Sequence, residues 1–260
     1  MVVLLSSALA VANAFGQSLF FDDFESYREN SSDYYAAGKF DYDAFEYDFD
    51  AGERTPKVVG PKDGVTPYSG NRMLDFRAAN QPKTRTLKLG FDSKSDLNPH
   101  IQYSFRFLIP TTYQEDQRIF TYIDSANGPG SYAEFKTIAN TFTGFGLANI
   151  PVALHRDTWN VATIDVNWPK MQAQFMLNGQ VIAVENYGAG HGEPPYLVGP
   201  FVFGMVQNTD VSDKYSLQSG APGMFVDDVS VVLVPEVTPF GALLIGFGAI
   251  GLVGRRGRAS

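Results

Sequence analysis

The chain has 260 residues, a formal net charge of −8 and no cysteine. The lack of cysteine excludes disulfides and thiolate metal sites, so stability has to come from a hydrophobic core, hydrogen bonds or a hard cation. The acidic balance argues against nucleic acid as a partner, because phosphate binding needs clustered positive charge.

The first residues have the pattern of an export signal. Residues 2–14 form an apolar run that closes at Ala14 on a small-x-small tripeptide, the pattern at which signal peptides are cleaved. We therefore predict a signal peptide over 1–14 and a single mature domain over 15–233. The alternative is a buried N-terminal strand, although the serines and alanines of this run are poor strand formers.

An acidic and aromatic stretch spans residues 41–50. Glu46, Asp48 and Asp50 alternate with other residues and would share one face of a strand. This arrangement resembles the catalytic strand of laminarinase-type glycosidases, but those enzymes end the motif in Glu, whereas Asp50 is one methylene shorter. We predict instead an exposed edge strand that its charges protect from aggregation.

The remaining body alternates apolar and polar residues in short segments separated by Gly, Pro and Asn, which predicts strands. The clearest are 101–109, 160–168 and 171–177. The last of these leads into Asn178-Gly179, a strong hairpin signal. No long stretch has a helical stripe, so we predict an all-β, two-sheet antiparallel β-sandwich of the jelly-roll type.

Four segments follow one another in a characteristic order: FFDDFESY at 20–27, YSGNRML at 68–74, DTWN at 157–160 with the hairpin after it, and MFVDDVSV at 224–231. In this order they resemble the concanavalin A-like, laminin-G-type jelly rolls of bacterial surface proteins. Phe175 stands at the aromatic position of that family's hairpin. The resemblance covers most of residues 20–233 and implies that the first and last strands lie side by side.

That pairing would crowd the acids of both segments at one margin of a sheet, where like charges repel. Related carbohydrate-binding jelly rolls hold a structural calcium near this place. The resemblance therefore implies a Ca²⁺ ion with Glu25 and Asp228 as ligands and Asp23 in reserve. The alternative is that these acids are solvated strand ends.

The last residues combine a Pro-Glu pair, an apolar run and a basic end. Pro235 and Glu236 precede the apolar residues 240–253, which we predict to form a hydrophobic sorting helix. This helix is too short to cross a bilayer comfortably and fits a transient inner-membrane anchor. The chain then carries positive charges that would stay cytoplasmic. These are Arg255, Arg256 and Arg258.

This order resembles the PEP-CTERM sorting signal of Gram-negative bacteria, which membrane-bound exosortases cleave near the Pro-Glu element. Val237 stands where the family has its second proline, so the position of cleavage stays open. We predict a sorting signal over 234–260 and exosortase as a partner. The alternative is a buried C-terminal strand or helix.

No residue pattern indicates catalysis. His100, His155 and His191 occur in contexts typical of loops, without a metal or triad motif. We therefore expect an exported, noncatalytic module at the cell surface or in the extracellular matrix that binds extracellular polysaccharide, an expectation that rests on fold analogy. The alternatives are a polysaccharide lyase or glycoside hydrolase on the same scaffold, and a purely structural coat protein.

Overall fold

The computed structural model describes residues 17–31, 40–41, 56–76, 85–89, 100–111, 117–123, 130–137, 139–167, 169–186, 201–207 and 224–235. The predicted signal peptide lies outside these residues. So do the residues of the predicted sorting signal beyond Pro235: Glu236, the apolar run 240–253, and Arg255, Arg256 and Arg258. No helix in the described residues could cross a membrane.

The described residues form fifteen β-strands and no helix. The strands are β1 (Gln17–Asp22), β2 (Phe40–Asp41), β3 (Lys57–Val59), β4 (Met73–Asp75), β5 (Arg85–Leu89), β6 (His100–Leu108), β7 (Gln117–Ile123), β8 (Gly130–Lys136), β9 (Thr141–Gly144), β10 (Leu147–Pro151), β11 (Asn160–Asn167), β12 (Gln172–Leu177), β13 (Gln180–Asn186), β14 (Phe201–Gln207) and β15 (Phe225–Leu233).

These strands build two antiparallel sheets. The eight-stranded sheet has the order β13-β12-β11-β6-β15-β4-β3, with β1 also paired to β15. The seven-stranded sheet has the order β10-β9-β8-β7-β14-β5-β2. The prediction of an all-β, concanavalin A-like jelly-roll sandwich is therefore confirmed. The predicted pairing of the first and last strands is confirmed as well, since Gln17 lies opposite Leu233.

Strand β15 is shared by three partners. One of its edges pairs with β6. The other edge pairs with β4 at Phe225 and Val226 and with β1 from Val229 to Leu233. The register shifts between Asp227 and Ser230, and Asp228 has a left-handed φ of 46°, so a β-bulge lies where the partner changes from β4 to β1.

Aromatic rings join the two sheets. Alternation along β6 sends Phe105 and Phe107 into the core, where both are fully buried. Phe107 lies 5.9 Å from Phe135 of the opposite sheet, measured between ring centroids. Phe175 of β12 packs at 5.2 Å from Phe135 and stacks at 5.0 Å on Phe142. The other face of β6 carries half-buried polar residues and faces away from the core.

The predicted hairpin is present. Strands β12 and β13 are joined at Asn178 and Gly179, which both have positive φ values, 52° and 77°. Two successive positive values are the requirement of a type I′ turn, whose twist matches that of the paired strands. The register shifts by one residue between Met176 and Phe175, so that Phe175 lies opposite Ala183.

We expect Phe175→Ala to lower the free energy of unfolding by about 3–5 kcal/mol, because it leaves a cavity at the contact between the sheets. Denaturant unfolding measures this loss. The matched control is Val184→Ala on β13, where the side chain is 42% exposed and the change should stay within about 0.5 kcal/mol. Equal losses in the two variants would contradict this account of the core.

Candidate functional site

Glu25, a predicted calcium ligand, holds a turn of the chain. Its Oε1 accepts the backbone N–H groups of Asn71 and Arg72, each at 2.6 Å. The turn brings Gly70 against the same carboxyl group, since a Cβ built there would lie 2.5 Å from the Glu25 Cδ. Gly70 also has a φ of 57°, which an L side chain adopts with strain. The close approach of Glu25 therefore depends on glycine.

Asp228 binds the same segment from β15. Its carboxylate accepts the Ser69 hydroxyl at 2.8 Å and the Arg106 Nε at 3.1 Å. Asp23 accepts the backbone N–H of Glu25 at 3.2 Å, a bond within its own turn. The structure thus brings Glu25 and Asp228 to one segment, residues 66–72, which we call the clamp segment.

The calcium prediction stays a prediction. The described residues contain no group of three or more His, Asp or Glu side chains placed to hold a metal ion. The crowded acids are held by N–H and O–H donors and by Arg106, so charge repulsion at this margin does not by itself require a cation. Unfolding of the protein in calcium and in chelator would test the prediction.

Asp227 of β15, which was not predicted as a site residue, accepts three backbone N–H groups. It is fully buried, and its Oδ2 accepts the N–H groups of Tyr68 at 2.8 Å and Ser69 at 3.2 Å. Its Oδ1 accepts the N–H of Asp228 at 2.9 Å. Burial raises the pKa of Asp227 to about 7, and the charge of Asp228 adds to the rise. Asp227 fastens the clamp segment and is closed to solvent.

An aromatic and cationic patch lies where the clamp segment meets β6. The guanidinium carbon of Arg106 lies 3.6 Å from the centroid of the Tyr68 ring. Trp159 meets that ring edge-on at 6.3 Å, and its indole N–H donates to the Thr66 carbonyl at 3.1 Å. Tyr68 is 47% exposed. We call Tyr68, Arg106 and Trp159 the stacked patch.

His100 lies in a strand and not in a loop as the sequence analysis expected. Its Nε2 lies 2.8 Å from an Asp165 carboxylate oxygen, and Asp165 also accepts the Gln102 amide at 2.6 Å. Asn167 Oδ1 accepts the Lys170 N–H, which turns the Asn167 amide nitrogen toward His100 Nδ1 at 3.2 Å. The His100 Nδ1 is then an acceptor and its Nε2 carries the proton. Both ring nitrogens are used within the protein.

Glu134 lies on the outer face of the seven-stranded sheet. Ala133 and Phe135 on either side of it are fully buried in the core, so alternation along β8 directs Glu134 the opposite way. It is nevertheless only 9% exposed. Its cross-strand neighbours are Phe120 of β7 and Thr143 of β9.

A row of residues crosses the sheet at Glu134. Phe120 lies opposite Gly204 of the interior strand β14, which in turn lies opposite Thr86 of β5. A glycine inside a strand marks a place where a ligand or another chain can approach the backbone closely. We call the five residues of this row, Thr143, Glu134, Phe120, Gly204 and Thr86, the Glu134 row.

The next row along the strands is cationic. Lys136, which is half-buried, lies opposite Arg118 of β7. Lys136 lies two residues, or about 7 Å, from Glu134 along β8. Alternation therefore places the Glu134 carboxylate and the Lys136 ammonium group on the same sheet face.

Two predicted elements give no candidate site here. Of the acidic stretch, Asp41 lies in β2, the last strand of the described seven-stranded sheet, while Glu46, Asp48 and Asp50 lie outside the described residues. His155 is exposed, and His191 also lies outside the described residues. The acid and cations on β8 were not singled out from the sequence, because their face becomes known only with the sheet order.

We expect Gly70→Ala to lower the free energy of unfolding by about 1–3 kcal/mol, through left-handed strain and a clash with Glu25. Gly64→Ala is the matched control, because Gly64 has a φ of 81° but no atom within 4 Å of an added Cβ. The difference between the two variants, measured by denaturant unfolding, isolates the Glu25 contact. Equal losses would show that this contact contributes nothing.

Asp227 should make stability depend on pH. Its folded pKa of about 7 exceeds the ordinary value of 3.8, so between these values the folded state binds more protons. The free energy of unfolding therefore falls as pH rises from about 4 to about 7, by at most about 1.4 kcal/mol per unit, and is then level. Asp227→Asn should remove this slope. If the difference in the free energy of unfolding between wild type and variant stayed constant from about pH 4 to about pH 7, the raised pKa of Asp227 would be contradicted.

No protein-family model matches the chain, and no curated protein matches it in sequence. Solved structures do match. A carbohydrate esterase from Shiga toxin-encoding bacteriophage phi24B has 11% identity and a TM-score of 0.50, over 84% of this chain and 99% of that one. An endo-β-1,4-glucuronan lyase from the fungus Trichoderma reesei has 12% identity and a TM-score of 0.49, over 84% and 96%.

A non-specific endo-β-1,3(4)-glucanase of family GH16 has 11% identity and a TM-score of 0.49, over 85% of this chain and 92% of that one. At such identities the likeness is one of fold. The bacteriophage carbohydrate esterase, which shares this fold, is an enzyme, and this contradicts the expectation of a noncatalytic module.

Proposed function

We propose that the protein is a polysaccharide lyase that cleaves an acidic extracellular polysaccharide on the outer face of the seven-stranded sheet. The observation that carries the proposal is the pair Glu134 and Lys136 on β8, a nearly buried carboxylate and a half-buried cation that share one sheet face. The carbohydrate esterase that has the same fold supports the substrate class.

The arrangement suits elimination at a uronic acid. Lys136 binds the sugar carboxylate and offsets the negative charge that develops next to it. Glu134 takes the proton from the carbon bonded to that carboxyl group. The electron pair forms a C=C bond as the glycosidic C–O bond breaks, and the leaving oxygen takes a proton from water. Gly204 leaves room for the polymer above the middle of the sheet.

A glycoside hydrolase is the second candidate. It requires two carboxyl groups about 5–9.5 Å apart, and on the described part of this face the charged residue nearest to Glu134 along β8 is the cation Lys136. The products distinguish the two reactions. Elimination yields an unsaturated uronate that absorbs ultraviolet light, whereas hydrolysis yields reducing ends without that absorbance.

The test is incubation of the protein with a polyglucuronate, an alginate and a neutral β-glucan. We expect ultraviolet-absorbing products from an acidic polymer alone. Glu134→Gln should lower kcat by about 100-fold to 10,000-fold, the range for a lost acid–base group. Lys136→Ala should raise KM, because it removes a charge that binds the substrate before and during the reaction.

The matched controls are Glu185→Gln and Lys170→Ala, which change the same charges on the eight-stranded sheet and in the turn before β12. Both should cleave like the wild type. Full activity in Glu134→Gln, or cleavage of the neutral polymer alone, would overturn the proposal. A polymer left intact under all conditions would do the same and would favour a binding or coat protein.

Export and sorting belong to the same proposal. The apolar run at 2–14 and the Pro235-Glu236 element with its basic end support an exported Gram-negative surface protein that exosortase processes. The mass of the protein recovered from hosts with and without exosortase tests this. An unchanged C-terminus in both hosts would contradict it.

A further inference from the structure

Arg106 is held rigidly by its surroundings. Its Nε donates to Asp228 at 3.1 Å, its guanidinium lies over the Tyr68 ring, and Asp227 and Asp228 fix the segment that carries this ring. An arginine placed by an ion pair and a stack loses little side-chain freedom when it binds a further group. The stacked patch is therefore preorganised for a ligand.

The guanidinium of Arg106 still has N–H donors with which to bind a ligand. Asp228 occupies Nε, and among the described residues no hydrogen-bond partner is seen for either terminal nitrogen of Arg106. The side chain is 29% exposed and Tyr68 is 47% exposed, so the patch is open to solvent. Two terminal N–H groups on a planar fork match the two oxygens of a carboxylate.

We propose that the stacked patch is a second polysaccharide site, which binds a uronic acid unit through the terminal nitrogens of Arg106 and the exposed ring of Tyr68. It lies on the eight-stranded sheet, whereas the proposed cleavage site lies on the other sheet. The ring contacts the apolar face of the sugar, and the guanidinium selects the carboxylate over a hydroxymethyl group.

The same sheet face offers contacts for neighbouring sugars. Ser104 and Gln102 follow Arg106 on the outer face of β6, spaced about 7 Å apart. Ser104 shares a hydrogen bond of 2.7 Å with Ser230 of β15. The Gln102 amide nitrogen donates to Asp165, which leaves its carbonyl oxygen as an acceptor for a sugar hydroxyl. This oxygen and the Ser104 hydroxyl lie in line with Arg106, so the site is suited to a polymer that runs along the strand.

The experiment uses two oligosaccharides with the same β-1,4 linkage, a hexaglucuronate and cellohexaose. Binding is measured by calorimetry in a Glu134→Gln, Lys136→Ala background, in which the proposed cleavage face is disabled. We expect the acidic oligomer to bind more tightly than the neutral one. Arg106→Gln should weaken its binding about tenfold to a hundredfold, and Arg106→Lys nearly as much, since a point charge replaces the fork.

Tyr68→Ala tests the ring without removing the ion pair and should weaken binding about threefold. Lys170→Gln removes one exposed positive charge elsewhere and should leave binding unchanged. Unfolding temperatures of all variants show whether the fold is kept. If Arg106→Gln does not fold, the affinity of the Tyr68→Ala variant and the ratio of the affinities for the two oligosaccharides still test the proposal.

The outcomes separate this site from the cleavage site. Equal binding of both oligomers, or acidic binding that neither the Arg106 nor the Tyr68 variants weaken, overturns the second site and leaves the proposed lyase intact. Binding that depends on Arg106 in a protein that cleaves no polymer supports the second site and removes the lyase. Loss of all binding in the disabled background places the polymer on the seven-stranded sheet alone and overturns the inference.

Discussion

The bulge in β15 is the constraint on which this end of the molecule depends. It lies where one edge of the strand passes from β4 to β1, and it turns two successive acids toward the clamp segment. Asp227 accepts backbone N–H groups in the interior, while Asp228 reaches the Ser69 hydroxyl and Arg106. A regular strand would send these two side chains to opposite faces, and one would enter the aromatic core.

The two outer faces of the sandwich use charge in different ways. On the eight-stranded sheet, acids are matched to donors: Asp165 to His100 and Gln102, and Asp228 to Arg106. On the seven-stranded sheet, the half-buried Lys136 follows Glu134 on the outer face of β8, where we propose that an acidic polymer binds.

The sequence predicted the fold because its strands alternate regularly and its hairpin has a strong local signal. Prediction was weaker wherever an arrangement depends on pairing between distant residues. His100 and Asp165 meet only through the register of β6 with β11, so His100 resembled a loop residue. The bulge breaks the period of two in β15, so alternation could not show that Asp227 is buried, and the resemblance implied only Asp228 as a site residue. The side of the sheet that carries Glu134 could not be known before the sheet order.

The position of β15 also has a mechanical consequence. The strand is bonded along both edges, to β6 on one side and to β4 and β1 on the other. A pull on the chain after Leu233 acts along the strand, and the hydrogen bonds of an antiparallel ladder run perpendicular to that direction. Such a load shears many bonds together instead of opening them one at a time. A domain tethered through this end would resist tension with a strand that is paired along both edges.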